Sequence, residues 1–472
     1  MSGPNQEEHG SQSRWELRPP GCFIALAPEG LRLGLRRRGL ETSVIPYEDL
    51  THVEATSFGV WLASRRTTMV IRRSQFVRER DPDELVQSVR WRLGEEPGGV
   101  AQLARMRAIA ERALHPHARV ATYLLLAACV AVFALEFVDP FTLQAAVFVP
   151  ELVAAGEWWR ITTGNLLHGP SLLPLHLIIN MLCLAAFGLL VERPLGAVRT
   201  FLVMAASGVG AMAASAIAGY SEVLGASGVV AGLVGAVLWL EFNEPERLPA
   251  WWRIPRRVFV MAILLQGLVD LLLPFIAAAA HLGGLAAGWL VMPFAARGSF
   301  DGEPISREQR YVAAALAVLI LASLVSAAQL MRRDPEALAA HGRNLLSMQD
   351  VAARGLNDLA WRMVTESHPD AEDLLVATSL AQLAVEKTGR RDPNILDTLA
   401  EVLFVSGDDS GAIAVIDEAI MLAGGEEYFR EQRRRFTGER AMDDRPAPPT
   451  HWIVPVPEGD EVIPLEESGI AI

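Results

Sequence analysis

Residues 276–295 read IAAAAHLGGLAAGWLVMPFA. About 20 uncharged residues, rising about 1.5 Å each, match the roughly 30 Å of hydrocarbon in a bilayer, so the stretch predicts a helix that crosses a membrane. One polar side chain, His281, stands near its start, and Gly284 and Gly288 have the four-residue spacing that lets two helices approach closely. An imidazole inside lipid is costly, which makes His281 a functional candidate as well as a packing residue.

Six further apolar segments surround it, at about 120–138, 172–191, 199–219, 224–240, 257–274 and 311–331. The arginines flanking them sort by side. Thirteen (Arg105, Arg107, Arg112, Arg119, Arg193, Arg199, Arg247, Arg253, Arg256, Arg257, Arg297, Arg307, Arg310) fall on one face and three (Arg160, Arg332, Arg333) on the other. Positive residues stay inside, so the N-terminus is expected in the cytoplasm, and an odd number of spans places the C-terminal region outside. The fold class is therefore mainly α: a polytopic helical bundle of six plus one spans in the cell membrane, occupying residues 120–332.

Composition agrees. The 472 residues carry a net charge of −13 and are 51% hydrophobic, with the apolar residues concentrated between Val120 and Leu330. That length suits two or three domains, and the concentrated apolar runs exclude a wholly soluble enzyme. Three cysteines (Cys22, Cys129, Cys183) exclude a disulfide scaffold. The first 20 residues lack the apolar core of a signal peptide. No nucleic-acid partner is expected.

The flanks read as water-soluble. Residues 1–13 are polar and aperiodic, and are expected to be disordered. Short alternating runs from Trp15 predict strands, and a helix follows in which Leu85, Val89 and Leu93 form one stripe. Asp81 is the expected cap, with Pro82 in the first turn and Glu84 at capping-box spacing. Residues 14–96 thus resemble the pleckstrin-homology-like domains of bacterial membrane proteins, joined by a linker helix at 97–119. The arginines Arg36, Arg37, Arg38, Arg65, Arg66, Arg72 and Arg73 would suit anionic headgroups. From Asp334 onward there are 12 basic and 27 acidic residues. Asn357-Asp358-Leu359-Ala360 and Asp397-Thr398-Leu399-Ala400 open corresponding helices about 40 residues apart, so residues 338–437 look like two tetratricopeptide units. Residues 438–472 are Pro-rich, acidic and expected to be disordered.

Inside the membrane, polar residues collect in one layer. Spans two, four and six all run inward, and His176, Asn180, Ser227 and His281 each fall within about two turns of the outer end. At about 1.5 Å per residue they lie at similar depth, beneath a pocket that opens outward. His176 and Asn180, four apart, share a helix face. A serine becomes a nucleophile when an imidazole takes its proton, and the tetrahedral intermediate needs preorganised donors. His281 would serve as the base. Asn180, His176 and the Ser227 N–H would serve as donors, with Gly225 and Gly228 admitting close backbone approach. No Asp or Glu matches this depth in those three spans, which predicts a Ser–His dyad without an orienting carboxylate. Gln266 and Asp270 in the fifth span are expected to be interfacial or water-facing. The bland alternative is that the glycine stripes and the lone histidines only pack helices.

The order Trp158-Trp159-Arg160, His176-x-x-x-Asn180, Gly225-x-Ser227-Gly228, Ala280-His281-x-x-Gly284-x-x-x-Gly288 resembles the rhomboid family of intramembrane serine proteases over about 210 residues. The resemblance implies Ser227 as nucleophile, His281 as general base, and His176, Asn180, Gly225 and Gly228 on the oxyanion and substrate side. It implies no metal, no cofactor, and transmembrane proteins in the bilayer as substrates; the helical repeats, expected on the same side as the active site, are separately expected to take a protein partner. Glu192 matches the acidic residue after the second span. Two positions depart from the family: Ala231 stands where an aromatic often stacks on the histidine, and GPSLLP lengthens the gap from His168 to His176. The alternative function is a catalytically inert, rhomboid-like binding or chaperone scaffold.

Overall fold

The computed structural model describes residues 14–36, 40–64, 68–114, 119–170, 174–248, 256–273, 276–300, 303–348 and 350–447. The expectations for residues 1–13, for Arg37, Arg38, Arg65 and Arg66, and for the tail beyond 447 lie outside these residues.

The N-terminal region forms two antiparallel sheets. One orders β1 (Arg14–Leu17), β2 (Cys22–Ala27), β3 (Gly30–Arg36) and β4 (Leu40–Ile45); the other orders β5 (Leu50–Ala55), β6 (Gly59–Ser64) and β7 (Thr68–Arg72). Two-residue alternation drives them: Leu31 and Leu33 are buried while Arg32 between them is exposed. Trp15, Ile24, Val60, Leu62 and Ile71 complete a core closed by Leu85, Val89 and Leu93 of α1 (Asp81–Glu95). The helix starts at Asp81 itself, one residue earlier than a cap there would allow. Arg80 is the N-cap, and the Asp81 carboxylate accepts the backbone N–H of Arg78 at 3.1 Å instead of capping the helix. In α2 (Gly99–Leu114), Gln102 Nε2 donates to the Tyr47 carbonyl at 2.8 Å, tying the linker helix to the sheets.

The apolar segments fold as helices: α3 (Val120–Val138), α7 (Leu175–Leu195), α8 (Ala197–Ala218), α9 (Ser227–Asn243), α10 (Arg256–Leu272), α11 (Ala278–Ala295) and α12 (Arg307–Met331). Three short helices, α4 (Phe141–Ala146), α5 (Pro150–Ala154) and α6 (Arg160–Thr163), build the long loop between α3 and α7. Five of the seven apolar helices are long and apolar enough to cross a bilayer, and the chain is a multi-pass membrane protein. The other two, α9 and α10, are 17 residues each. Helix α9 is short for a physical reason: the chain before it runs as an extended segment, so the helix begins only at Ser227.

Helix α11 packs between α8 and α9 through glycines. A Cβ on Gly284 would overlap the Gly228 carbonyl oxygen, and one on Gly288 that of Gly232. Backbones therefore touch directly, as small-residue spacing permits. At the opposite end of the bundle, Glu192 accepts the backbone N–H groups of Ala121 (2.8 Å) and Thr122 (2.9 Å), capping the unsatisfied start of α3 with a carboxylate. The N-terminal sheets lie toward that end, where Glu48, Thr51 and Arg105 face Asn243–Arg247 across a cleft.

The C-terminal region stacks α13 (Pro335–Ser347), α14 (Ala353–Thr365), α15 (Ala371–Lys387), α16 (Pro393–Val405), α17 (Asp409–Leu422) and α18 (Glu427–Phe436). Asn357 and Asp397 are each the fifth residue of their helices, and α14 packs on α15 as α16 does on α17. Residues just after α18 fold back, with Arg445 Nη2 donating to Glu401 Oε1 at 2.8 Å. The whole region docks on the α3–α7 loop. Phe141, Ala145, Val147 and Leu152 share one core with Leu338, Leu345 and Leu356. Arg333, in a left-handed conformation just beyond α12, donates to Asp139 (2.8 Å) and Glu366 (2.7 Å). The helical pairs and this loop therefore share one face of the membrane domain.

Candidate active site

The loop before α9 is held by main-chain hydrogen bonds. Val223 and Phe148 exchange N–H donors at 2.9 and 3.1 Å, and Gly225 N–H donates to the Gly164 carbonyl at 2.9 Å. Gly225 adopts a φ of +117°, and a Cβ there would stand 2.9 Å from both His176 Cε1 and Nε2. Conformation and space both require glycine. Ser227 then opens α9, with Ala226 at the N-cap. The first N–H groups of a helix have no intrahelical acceptor, so the Ser227 N–H is available beside its own hydroxyl.

His281 lies in the first turn of α11. The backbone contact of Gly228 with Gly284 brings the Ser227 end of α9 to the His281 end of α11. Among the described residues no hydrogen bond joins the two side chains. Free enzymes often show catalytic contacts that tighten only around substrate. His176 and Asn180 sit on α7. His176 Nδ1 lies 3.1 Å from the His168 carbonyl, and Asn180 Nδ2 donates to the His176 carbonyl at 3.0 Å, leaving its second N–H free of that bond. The His168 turn is fixed in its turn by Glu136, whose carboxylate accepts the N–H groups of His168 (3.2 Å) and Gly169 (3.1 Å). All four polar residues of the expected layer thus lie on helices and loops that converge at the same end of the bundle.

The first-loop residues are structural. Arg160 is fully buried, paired with Glu157 at 2.6 Å, and donates to the carbonyls of Gln144 and Val147 at 2.8 Å each. Trp159 Nε1 donates to the Ala145 carbonyl at 3.1 Å. These bonds shape the loop on which Phe148 and Gly164 meet the serine loop.

One polar residue departs from expectation. Asp270, expected at the interface or facing water, has a side chain only 8% exposed, and its Oδ2 and Oδ1 lie 3.1 and 3.2 Å from His281 Nδ1. The carboxylate that reaches His281 comes from the fifth span, which the comparison of spans two, four and six left out. Its depth could have been read from the sequence, because α10 runs outward and Asp270 is in its last turn.

Residues 155–297 match the family model described as Rhomboid domain. The chain is 35% identical over 149 residues to RHOMBOID-like protein 4 of Arabidopsis thaliana, covering 30% of this chain and 35% of that protein. It is 32% identical over 139 residues to the rhomboid protease GluP of Bacillus subtilis, covering 29% of this chain and 26% of GluP. With the putative rhomboid protease YdcA of Bacillus subtilis it shares 32% identity over 142 residues, 29% of this chain and 68% of YdcA. The chain spans about a third or less of the length of the first two relatives.

Proposed function

The chain belongs to the rhomboid family, and on that premise we propose that it is an intramembrane serine endopeptidase acting through Ser227 and His281. The observation that supports this most is the placing of a helix-opening serine and a first-turn histidine at one end of two helices whose backbones touch.

In this reading His281 Nε2 takes the Ser227 proton as Oγ attacks the scissile carbonyl. The oxyanion is met by the Ser227 N–H and by the second N–H of Asn180. His176 has a conditional part. Its Nδ1–H is directed at the His168 carbonyl, so a neutral ring keeps no proton on Nε2, and the ring donates from Nε2 only as an imidazolium. The proton held by His281 then passes to the leaving amine, and water hydrolyses the acyl-enzyme. Substrates are transmembrane segments of other proteins. Helical backbone is self-satisfied in lipid, so segments that unwind easily near the membrane surface are favoured.

The arginine distribution supports a topology with the N-terminus and its sheets in the cytoplasm, and the active-site mouth, the α3–α7 loop and the helical pairs outside. The pairs, strongly acidic, then recruit basic segments of substrates or partners. Ala231, where an aromatic often stacks on the histidine, favours the rival reading, an inert rhomboid-like scaffold. Co-expression with a tagged transmembrane substrate separates the two. Cleavage by the natural chain and none by Ser227→Ala is expected; equal cleavage by both refutes the assignment, and cleavage by neither favours the scaffold.

A further inference from the structure

We propose that Asp270 is a positioning residue for His281, so that a carboxylate on α10 orients an imidazole on α11 toward a hydroxyl on α9. The inference rests on Ser227 and His281 being the reacting pair.

The setting of Asp270 is what calls for an explanation. Helix α10 turns a broad apolar face outward: Met261, Leu264, Leu265, Leu271 and Leu272 are all more than 60% exposed. A carboxylate on such a helix is costly unless it is paired. Asp270 is paired twice. Gln266, one turn earlier on the same helix, donates from Nε2 to Oδ1 at 2.7 Å, and both carboxylate oxygens face His281 Nδ1 at 3.1–3.2 Å. The carboxylate is turned away from solvent and held from two sides.

The chemical consequence follows from the two nitrogens of imidazole. A carboxylate only accepts, so the nitrogen facing Asp270 carries the proton. In the neutral ring the lone pair is then on Nε2, the atom that must take the Ser227 proton. When His281 becomes an imidazolium during attack, Asp270 stabilises the new charge without itself gaining a proton. The carboxylate therefore does for His281 what an aromatic one turn beyond the serine cannot do here, where residue 231 is alanine: it fixes the ring's orientation.

The competing role is a staple between α10 and α11, and the experiment separates the two. The full-length chain in detergent is prepared as the natural protein, Asp270→Asn, Asp270→Ala and Asp270→Glu. Cleavage of a tagged transmembrane substrate gives kcat and KM, thermal melts give stability, and ¹⁵N spectra of labelled histidine give the His281 tautomer. Positioning predicts that Asn and Ala lower kcat by about 10²- to 10⁴-fold at unchanged KM. It also predicts that Glu restores most of the rate, and that the Nδ1–H form of His281 in the natural protein gives way to the Nε2–H form in Asp270→Asn. Unchanged kcat with a lowered melting temperature would make Asp270 a staple and overturn the proposal. A natural protein whose His281 carries its proton on Nε2 would overturn it as well, even if every variant fails to fold. Neither the tautomer nor the melt depends on cleavage, so a failure of Ser227 as nucleophile remains distinguishable.

Discussion

Glu157 and His341 meet at 2.7 Å in the interior although 184 residues separate them in the chain. Glu157 belongs to the loop between α3 and α7, and its other oxygen binds Arg160. Asn344 adds a second donor from α13 at 2.9 Å. A single carboxylate thus joins the loop that buttresses the serine to the helix that begins the C-terminal stack. Removing one partner leaves a buried acceptor short of a donor, at about 1–3 kcal/mol. His341→Ala is expected to weaken docking by that amount. Hydrogen exchange should then quicken at residues 144–164 and stay unchanged in α16 and α17. Equal protection in both proteins would mean that the apolar contacts alone hold the two regions together.

The same carboxylate gives a pH dependence with a definite sign. Burial by itself would raise the Glu157 carboxyl, but the hydrogen bond and charge of His341, with Arg160 and Asn344, outweigh it and hold the group at about 2. A depressed carboxylate contributes stability that is complete above its unfolded value of 4.5 and is lost as pH falls toward 2. Thermal melts of the natural chain should therefore steepen in pH dependence below 4.5, and Glu157→Gln should flatten that limb.

Asp397 predicts the opposite slope. Burial first, and then the charge of Glu401, push its carboxyl up from 3.8 to about 7, against hydrogen bonds from Tyr428 and Gln432. A raised carboxyl contributes stability below 3.8 that is lost as pH rises through 7. The helical pairs should melt at lower temperature at pH 8 than at pH 5. Asp397→Asn, which keeps an acceptor for Tyr428, should remove most of that difference; a melt insensitive to this substitution would show that other groups set the slope.

Much of this architecture was legible in residue order because a bilayer imposes long-range regularity on short-range composition. The seven apolar helices fall within a few residues of their expected bounds, and Leu85, Val89 and Leu93 are buried as their spacing requires. Depth could be compared between spans because each residue advances a helix by a fixed rise, and that comparison found Ser227, His281, His176 and Asn180. It missed Asp270 because only the inward-running spans were compared. The docking of α13 on the α3–α7 loop was illegible for another reason. No periodicity links Glu157 to His341; only the folded chain brings them together. Asp81 shows the limit at short range: Arg80 could take the N-cap, and the Asp81 carboxylate found a nearer donor in Arg78.

Asn180 carries the last prediction. Its carboxamide is buried on α7 and spends one N–H on the carbonyl of His176, a turn earlier on the same helix. That bond sets the plane of the amide and leaves the second N–H to point elsewhere. In the proposed mechanism this hydrogen and the Ser227 N–H are the donors that need no extra proton, whereas His176 must first become an imidazolium. Loss of one such donor typically slows acyl transfer by about 10²- to 10³-fold. Asn180→Ala should lower kcat on that scale without changing the melting temperature by more than a truncated helix residue would. His176→Ala should cost less at alkaline pH than at acidic pH, because only the charged ring donates. The two substitutions are compared in the same cleavage assay across pH. Unchanged turnover in Asn180→Ala would reduce the residue to a brace within α7, and the oxyanion would then rest on the backbone of Ser227 alone.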